Sequence, residues 1–310
     1  MPAPTYLIVS PCRNEARFMA STLDSVLAQS ILPTCWVIVD DGSDDSSPAI
    51  LSDYAERYDF IKIVTRVDRG HRSVGPGVVE AFYDGLNQVD ITAYDYLCKL
   101  DLDLILPSGY FETLMIKMQA NPRLGNASGK PYFVSESGQL VSEGCGDENA
   151  IGAAKFYRRT CFEEIGGFVQ QVMWDGIDGH RCRQYGWVAQ SWDDKALRFT
   201  HLRPMGSSQT SIIAGRIRHG FGQYFMGTGF VYMLLSALFR MTKRPYFYGG
   251  LAMLWGYIRS WFLGLPQFDD KQLVTFIRRY QWACLLKGKK RATAELNQKQ
   301  DAIWQQRHLG

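Results

Sequence analysis

The sequence predicts an α/β fold in which a mostly parallel β-sheet is flanked by helices, followed by a helical C-terminal region. Short apolar runs alternate with segments of helical periodicity in the first part of the chain, which is the pattern of βαβ units. Acidic and amide residues follow several of the apolar runs. After about residue 210 long uncharged, aromatic-rich stretches replace this pattern, and they predict the C-terminal helices.

The predicted elements alternate regularly along the first hundred residues. The predicted strands are YLIVS at 6–10, CWVIVD at 35–40, FIKIVTR at 60–66 and a run within YDYLCKLDLDLIL at 94–106. The predicted helices lie within 14–30, begin near Pro48, and cover VVEAFYDGLNQV at 78–89. Strands separated by helices of this length favour parallel pairing.

Composition excludes several classes of protein. With 310 residues, 46% hydrophobic and 21% charged, the chain has the composition of a folded protein rather than a disordered one. Its net charge of +3 is too small to indicate a nucleic-acid partner. The seven scattered cysteines form no CxxC pair, so we expect reduced thiols rather than disulfides or a zinc site. The N-terminus has no secretory pattern, so we expect a cytosolic chain.

Polar residues stand at the predicted ends of three strands. The carboxyl ends of parallel strands meet at one edge of the sheet, where open α/β folds bind their ligands. We therefore expect these residues to line one site. They are Asn14, Glu15, Asp40, Asp41, Asp101 and Asp103.

Asp101 and Asp103 lie in the run LCKLDLDLIL, which is otherwise almost entirely apolar. Buried charges are costly unless they are paired or bind a metal. Neighbours one residue apart face opposite sides of a strand, so we expect the strand to end here and the chain to turn. Carboxylates suit Mg²⁺ or Mn²⁺, which also bind substrate phosphates. The pair therefore predicts a site for a metal and a diphosphate.

The C-terminal region combines apolar stretches with cations. Residues 220–239 and 245–258 are uncharged, and Arg240, Lys243 and Arg244 lie between them. Aromatic rings beside lysine and arginine are typical of segments in the membrane interface. Three interpretations stay open: attachment to one membrane face, a spanning hairpin, or helices packed on the globular domain or on a second copy of the chain.

These patterns predict three regions. Residues 1–212 form the α/β domain, residues 213–290 a membrane-associating helical region, and residues 291–310 a basic and polar tail. The basic start of the tail suits an anionic membrane surface. We expect the protein at the cytoplasmic face of a membrane, as a peripheral, monotopic or hairpin-anchored protein, with a homo-oligomer through the C-terminal helices as a further expectation.

Six segments between residue 6 and about residue 203, in order, resemble the family 2 glycosyltransferases. The segments are IVSPCRNEARFMASTLDSVLAQS, VIVDDGSDDS, DRGHRSVGPGVVEAFYDGL, KLDLDLILP, GAAKFYRRTCFEEIGGF and WDGIDGHRCRQYGW. The resemblance implies a GT-A fold and an inverting, metal-dependent transfer of a sugar from a nucleotide-sugar donor, with UDP as the nucleotide. It also implies a hydroxyl acceptor, which we expect to be lipid-linked, as in cell-surface polysaccharide or glycolipid assembly.

The resemblance assigns roles by matching position. Asp41 would hold the base, Asp103 would be the main metal ligand, and Asp101 would contact the ribose or a metal-bound water. His201 stands where GT-A enzymes often place a further metal ligand, although a hydrogen-bonded histidine at a strand end remains the alternative. The residues that would line the nucleotide pocket are Pro11, Arg13, Asn14, Glu15, Asp40, Asp41 and Ser43.

Arg69 and Arg72 lie in a loop rich in glycine. Their charges and the close approach that glycine permits would suit the donor phosphates. A solvated basic loop is the alternative interpretation.

Asp175 occupies the position of the family's catalytic base. The family usually has Glu-Asp there, whereas this chain has Trp174 and Asp175. Asp178, one helical turn later, is the alternative base, or a residue whose charge favours the start of a helix. A single base with no protein nucleophile fits one displacement with inversion.

Two other functions are weighed against the transferase. A nucleotidyltransferase is disfavoured because SPCRNEARF, after the first strand, contains no glycine. A catalytically inactive, membrane-bound scaffold remains the alternative, although the acids that catalysis needs are all present.

Overall fold

The computed structural model of the protein describes residues 4–71, 73, 75–203 and 211–308. By its internal contacts the chain divides into two compact units. The first comprises Met1–Gly167 and Trp187–Pro204, and the second comprises Phe168–Gly186 and Met205–Gly310. The domain limits expected at residues 212 and 290 stay a prediction.

The first unit is built on a seven-stranded sheet with the order β10-β6-β9-β4-β1-β2-β3. Neighbouring strands run parallel except at β9, which is antiparallel to both β4 and β6. The strands are β1 (Tyr6–Cys12), β2 (Cys35–Asp40), β3 (Ile61–Thr65), β4 (Tyr96–Leu100), β6 (Leu124–Ser128), β9 (Ala154–Arg158) and β10 (Val188–Ser191).

A second, four-stranded sheet has the order β5-β11-β7-β8. Its strands are β5 (Leu104–Ile105), β7 (Lys130–Val134), β8 (Leu140–Ser142) and β11 (Arg198–His201). The pairing of β5 with β11 is antiparallel and places His201 opposite Leu104. This pairing brings two parts of the chain together that are about a hundred residues apart in sequence.

The first three helices of the first unit follow the strands as the sequence predicts, and two more helices come after them. They are α1 (Met19–Leu27), α2 (Ser47–Arg57), α3 (Pro76–Leu86), α4 (Tyr110–Ala120) and α5 (Arg159–Glu164). In β2 every residue is buried, as a strand covered on both faces requires. Apolar residues of α1, including Leu23 and Val26, join the strands in one core. The predicted α/β fold with a mostly parallel sheet is confirmed.

The second unit is helical in the part of the chain that the structure describes. Its helices are α6 (Trp174–Gln184), α7 (Ile212–Phe225), α8 (Phe230–Met241), α9 (Tyr248–Phe262), α10 (Lys271–Lys287), α11 (Lys289–Lys299) and α12 (Asp301–His308). The uncharged stretch 220–239 is not one helix, because Gly227 has a positive φ of 81° and the chain turns between α7 and α8. Among the described residues, no helix has both the length and the apolarity needed to cross a membrane.

Candidate functional site

The loops after β1 and β2 are interlocked by hydrogen bonds. The Asn14 backbone N–H donates to Ser43 Oγ at 2.9 Å. The Asn14 side chain donates to Asp44 Oδ1 at 2.6 Å and accepts from the Asp44 backbone N–H at 3.0 Å. Asn14 has a φ of 55°, a left-handed conformation that asparagine adopts more easily than most residues. These bonds set the shape of the edge that follows the first two strands.

Asp40 and Asp41 have separate tasks in the loop after β2. Asp40 Oδ1 accepts from the Ser43 backbone N–H at 3.0 Å and so fixes the turn. Asp41 Oδ1 accepts from Arg66 Nη1 at 2.6 Å and from Arg69 Nη2. The backbone oxygen of Asp41 also accepts from Arg13. Asp41 is therefore held by guanidinium groups at the place where the resemblance puts the nucleotide base.

Pro11 and Gly42 shape the same edge. Pro11 lies in β1 and pairs in register with Val39 of β2. Gly42 has a φ of 72°, and a Cβ there would lie 2.5 Å from the Asp68 Cα. Only glycine allows the loop after β2 to approach the loop after β3 this closely.

Arg69 contacts Asp41 and Glu80, with 3.0 Å between Arg69 Nη1 and Glu80 Oε2. The expected contact of Arg69 with phosphate stays a prediction. Arg72 lies outside the described residues.

The chain turns after β4, where the sequence predicts the end of the strand. The Asp101 backbone N–H donates to the Ala153 carbonyl at 2.8 Å, and Leu102 is buried. The Asp101 side chain is 36% exposed and pairs with Lys99 Nζ, whereas that of Asp103 is only 6% exposed. The two carboxylates therefore meet different surroundings.

Asp103 and His201 lie side by side in the first unit. His201 Nε2 is 3.9 Å from Asp103 Oδ1, and His201 Nδ1 is 3.3 Å from Glu143 Oε1. Burial disfavours a charge on His201, but the hydrogen bond to Glu143 and the negative charges of Asp103, Glu143 and Asp101 outweigh it and raise the pKa of His201. The two residues that the resemblance proposes as metal ligands, Asp103 and His201, are thus neighbours in the structure.

Arg203 is a residue of this cluster that the sequence analysis did not single out. Arg203 Nε donates to Asp103 Oδ2 at 2.6 Å, and Arg203 Nη2 donates to Glu15 Oε1 at 2.5 Å. Both carboxylates are buried, so one guanidinium compensates two charges. Two features of the sequence could have pointed to Arg203 as part of the site. It lies two residues after the candidate ligand His201, and no acidic residue is near it in the sequence.

The donor set of this cluster fits one divalent cation. Asp103 Oδ1 is buried and has no hydrogen-bond partner among the described residues, while its other oxygen is held by Arg203. A carboxylate oxygen and an imidazole nitrogen are a ligand pair suited to Mn²⁺. No group of three or more acidic, histidine or cysteine side chains suited to a metal is found within the described residues. Water and substrate phosphates would supply the remaining ligands.

The two candidate bases belong to the second unit, on α6. Asp175 lies in the first turn and is partly exposed. Asp178 is 1% exposed and counts among the buried residues of the helix. A base must reach the acceptor hydroxyl, so the accessible carboxylate is the better candidate.

Comparison with known proteins agrees with this fold and assigns the chain to a family. Residues 7–169 match the glycosyl transferase family 2 domain, which is more than half of the chain. The chain therefore belongs to glycosyl transferase family 2, and it is a glycosyltransferase with a GT-A-like fold.

A curated relative is the poly-beta-1,6-N-acetyl-D-glucosamine synthase of Staphylococcus epidermidis. The two chains are 28% identical over 129 residues, which is 42% of this chain and 29% of the synthase. The chain thus spans less than a third of the relative's length.

Solved structures share the fold at low identity. The mannosyltransferase PcManGT from Pyrobaculum calidifontis, in complex with GDP-Man and Mn²⁺, superposes with a TM-score of 0.51 at 15% identity, over 99% of this chain and 87% of that one. GalNAc-T7 with UDP, GalNAc and Mn²⁺ gives a TM-score of 0.61 at 13% identity, over 89% and 54%. At such identities the likeness concerns the fold.

Proposed function

We propose that the protein transfers a sugar from a nucleotide-sugar donor, with UDP as the nucleotide, to a hydroxyl group of a lipid-linked acceptor, with inversion at the anomeric carbon. The observation that carries the proposal is the buried pair Asp103 and His201, with Asp103 Oδ1 available and His201 Nε2 3.9 Å away. Membership in the family and the nucleotide sugars and Mn²⁺ bound by the fold's neighbours support it.

The residues assigned to this reaction have separate tasks. A divalent cation held by Asp103 and His201 would place positive charge beside the departing diphosphate. Arg203 keeps the Asp103 carboxylate oriented and places its own positive charge beside that carboxylate. Asp175 would take the proton of the acceptor hydroxyl as it attacks. Because no protein nucleophile is required, one displacement inverts the anomeric centre.

The nucleotide would bind at the edge formed by the loops after β1 and β2. Arg66 and Arg69 both donate to Asp41 Oδ1, so Oδ2 is the atom of this carboxylate that would accept from the base. Asp40 and Ser43 hold the turn beside it. This arrangement supports the assignment of Asp41 to base recognition.

A donor screen read by nucleotide release tests the proposal. The full chain is incubated with UDP-, GDP- and dTDP-sugars, with Mn²⁺, with Mg²⁺ or with EDTA. We expect release from a UDP-sugar with one of the two metals, none with EDTA, and a loss of at least about a hundredfold in Asp103→Asn. Absence of turnover with every donor, together with donor binding that Asp103→Asn does not weaken, would contradict it and favour the inactive scaffold.

A further inference from the structure

One face of α8 is apolar and open to solvent. Its residues are Val231, Leu235, Leu238 and Phe239. Their spacing places them on a single stripe of the helix. Met233 and Ala237 of the same helix are buried and pack within the second unit. The exposed stripe is therefore additional to the side that the fold uses.

Helix α9 repeats the arrangement. Four of its exposed large residues, Tyr248, Leu251, Trp255 and Phe262, lie on one stripe, and the exposed Trp261 lies beside this stripe. Trp255 is 57% exposed and Phe262 is 79% exposed. The opposite side carries Gly250 and Gly256, where a Cβ would collide with the backbone of α8 and of α7. The stripes of α8 and α9, eight residues in all, are called the α8–α9 face below.

An apolar groove continues this face. It has a volume of about 680 Å³ and is lined by residues of α7 and α9, among them Ile212, Ile217, Leu251 and Trp255. Soluble monomers rarely leave contiguous apolar patches of this kind uncovered. The groove and the face together indicate a surface that a membrane or another molecule covers.

The charge around the face has one sign. No aspartate or glutamate occurs from residue 195 to residue 268. The basic residues of the helices α7, α8, α9 and their connections are Arg216, Arg218, Arg240, Lys243, Arg244 and Arg259. Within the described ranges none of these six forms an ion pair. Lys243 Nζ lies 5.6 Å from the centroid of the Phe239 ring, as in side chains that keep a cation beside an apolar surface.

This charge argues against a second copy of the chain as the cover. A two-fold interface places the same patch on both partners, so cations at the face, such as Lys243 beside Phe239, would meet the same cations of the other copy, and residues 195–268 offer no carboxylate to pair with them. An anionic surface instead compensates all of them.

We propose that the α8–α9 face docks onto an anionic lipid bilayer and lies in its interfacial layer. The aromatic rings would sit at the level of the headgroups, and Arg240, Lys243 and Arg244, around the connection between the two helices, would contact lipid phosphates. At 15 residues α9 is about 22 Å long, shorter than the roughly 30 Å hydrocarbon core, so it lies on the bilayer rather than across it. The proposal goes beyond the transfer reaction, whose chemistry needs no membrane.

Vesicle flotation of the full chain tests the proposal. The probes are vesicles of phosphatidylcholine alone and vesicles with about 30% phosphatidylglycerol, at low and high salt. We expect flotation with the anionic vesicles, reduced by high salt, and little with the neutral ones.

Variants separate the apolar and the charged contributions. Phe239→Ser with Trp255→Ser is expected to lower the partition coefficient at least about tenfold. Lys243→Gln with Arg244→Gln is expected to lower it about tenfold on anionic vesicles alone. The matched controls are Ile116→Ser with Leu140→Ser, which are exposed apolar residues of the first unit, and Lys62→Gln with Lys195→Gln, which are exposed lysines of the same unit. Both controls should float like the unmodified chain.

A fluorescence experiment tests the proposal even if the serine variants are unstable. Trp255→Phe keeps an apolar ring and removes one fluorophore, so it should float normally while tryptophan quenching by brominated acyl chains decreases. The proposal is overturned if the unmodified chain floats with neither vesicle, or if the variants of the α8–α9 face float as well as the controls. It is also overturned if light scattering shows a dimer that Trp255→Ser dissociates, since a second copy then covers the face.

Discussion

Arg203 contacts two buried carboxylates, which would repel each other without its positive charge. Its guanidinium contacts Asp103 and Glu15 and is 22% exposed, so solvent screens it only partly. We expect Arg203→Gln to lower the free energy of unfolding by about 2–4 kcal/mol without metal, because two buried charges lose their partner. Saturating Mn²⁺ should restore more of the stability of this variant than of the unmodified chain, while turnover falls.

Thermal denaturation with and without Mn²⁺ measures this effect. The matched control is Arg198→Gln, which removes an exposed pair with Asp193 and should change stability far less than Arg203→Gln does. An equal response of Arg203→Gln and the unmodified chain to Mn²⁺ would show that Arg203 does not belong to the metal site.

Asp175 and Asp178 differ in access although they lie on the same helix. Asp175→Asn should lower kcat by about 10²–10⁴, because the acceptor hydroxyl loses the group that takes its proton. Asp178→Asn should leave kcat within about tenfold once the folded fraction is measured, since its side chain is buried. Steady-state kinetics of both variants compares them directly. A larger loss of kcat in Asp178→Asn would reverse the assignment.

At the scale of elements, α7 and α9 approach each other through glycine. A Cβ at Gly256 would lie 2.1 Å from the Ile217 carbonyl oxygen. We expect Gly256→Ala to lower the free energy of unfolding by about 2 kcal/mol or more, because the helices must separate. Gly249→Ala, in the same helix, is the matched control, since its Cβ would meet Pro245 at 3.5 Å, an ordinary contact.

Urea denaturation of the two glycine variants measures the difference. If they were equally stable, the close approach of α7 and α9 at Gly256 would be wrong.

His219 on α7 gives the second unit a dependence on pH. Burial lowers the pKa of His219, an effect that the charge of Asp175 only partly offsets. Its Nε2 lies 3.3 Å from Gln223 Nε2, and an amide nitrogen donates only, so the contact needs an unprotonated Nε2.

The sign of this dependence follows from proton uptake. Below about pH 6.5 the unfolded chain protonates this histidine while the folded chain resists, so stability falls as the pH decreases from there toward the lowered pKa. Urea midpoints at several pH values should show a shallower loss of stability in His219→Gln than in the unmodified chain. Parallel curves would exclude His219 as the cause.

At the scale of the whole molecule, much of the α/β fold could be predicted from the sequence. The first four strands and three helices were visible because each strand is a mainly apolar run and a segment of helical periodicity follows each of the first three strands. The end of β4 at Leu100 was also predictable, since two carboxylates cannot both be accommodated in a buried strand.

The rest depends on contacts between distant parts of the chain. Arg203 reaches Asp103 only because β11 pairs with β5, and no local pattern specifies that pairing. The partners of Asp41 come from the loop after β3, where charges alone did not distinguish a phosphate contact from an ion pair. The turn at Gly227 was not predicted because residues 220–239 carry no charge, so composition indicated one long stretch.

Direct binding of Mn²⁺ tests the central claim, which is that Asp103 and His201 hold the metal beside the donor's diphosphate. Electron paramagnetic resonance measures the concentration of free Mn²⁺ in the presence of the full chain, with and without UDP. We predict binding that UDP strengthens and that Asp103→Asn and His201→Ala each weaken by about tenfold or more, whereas Asp193→Asn does not. Binding of Mn²⁺ that is equally tight in all four proteins would contradict the account.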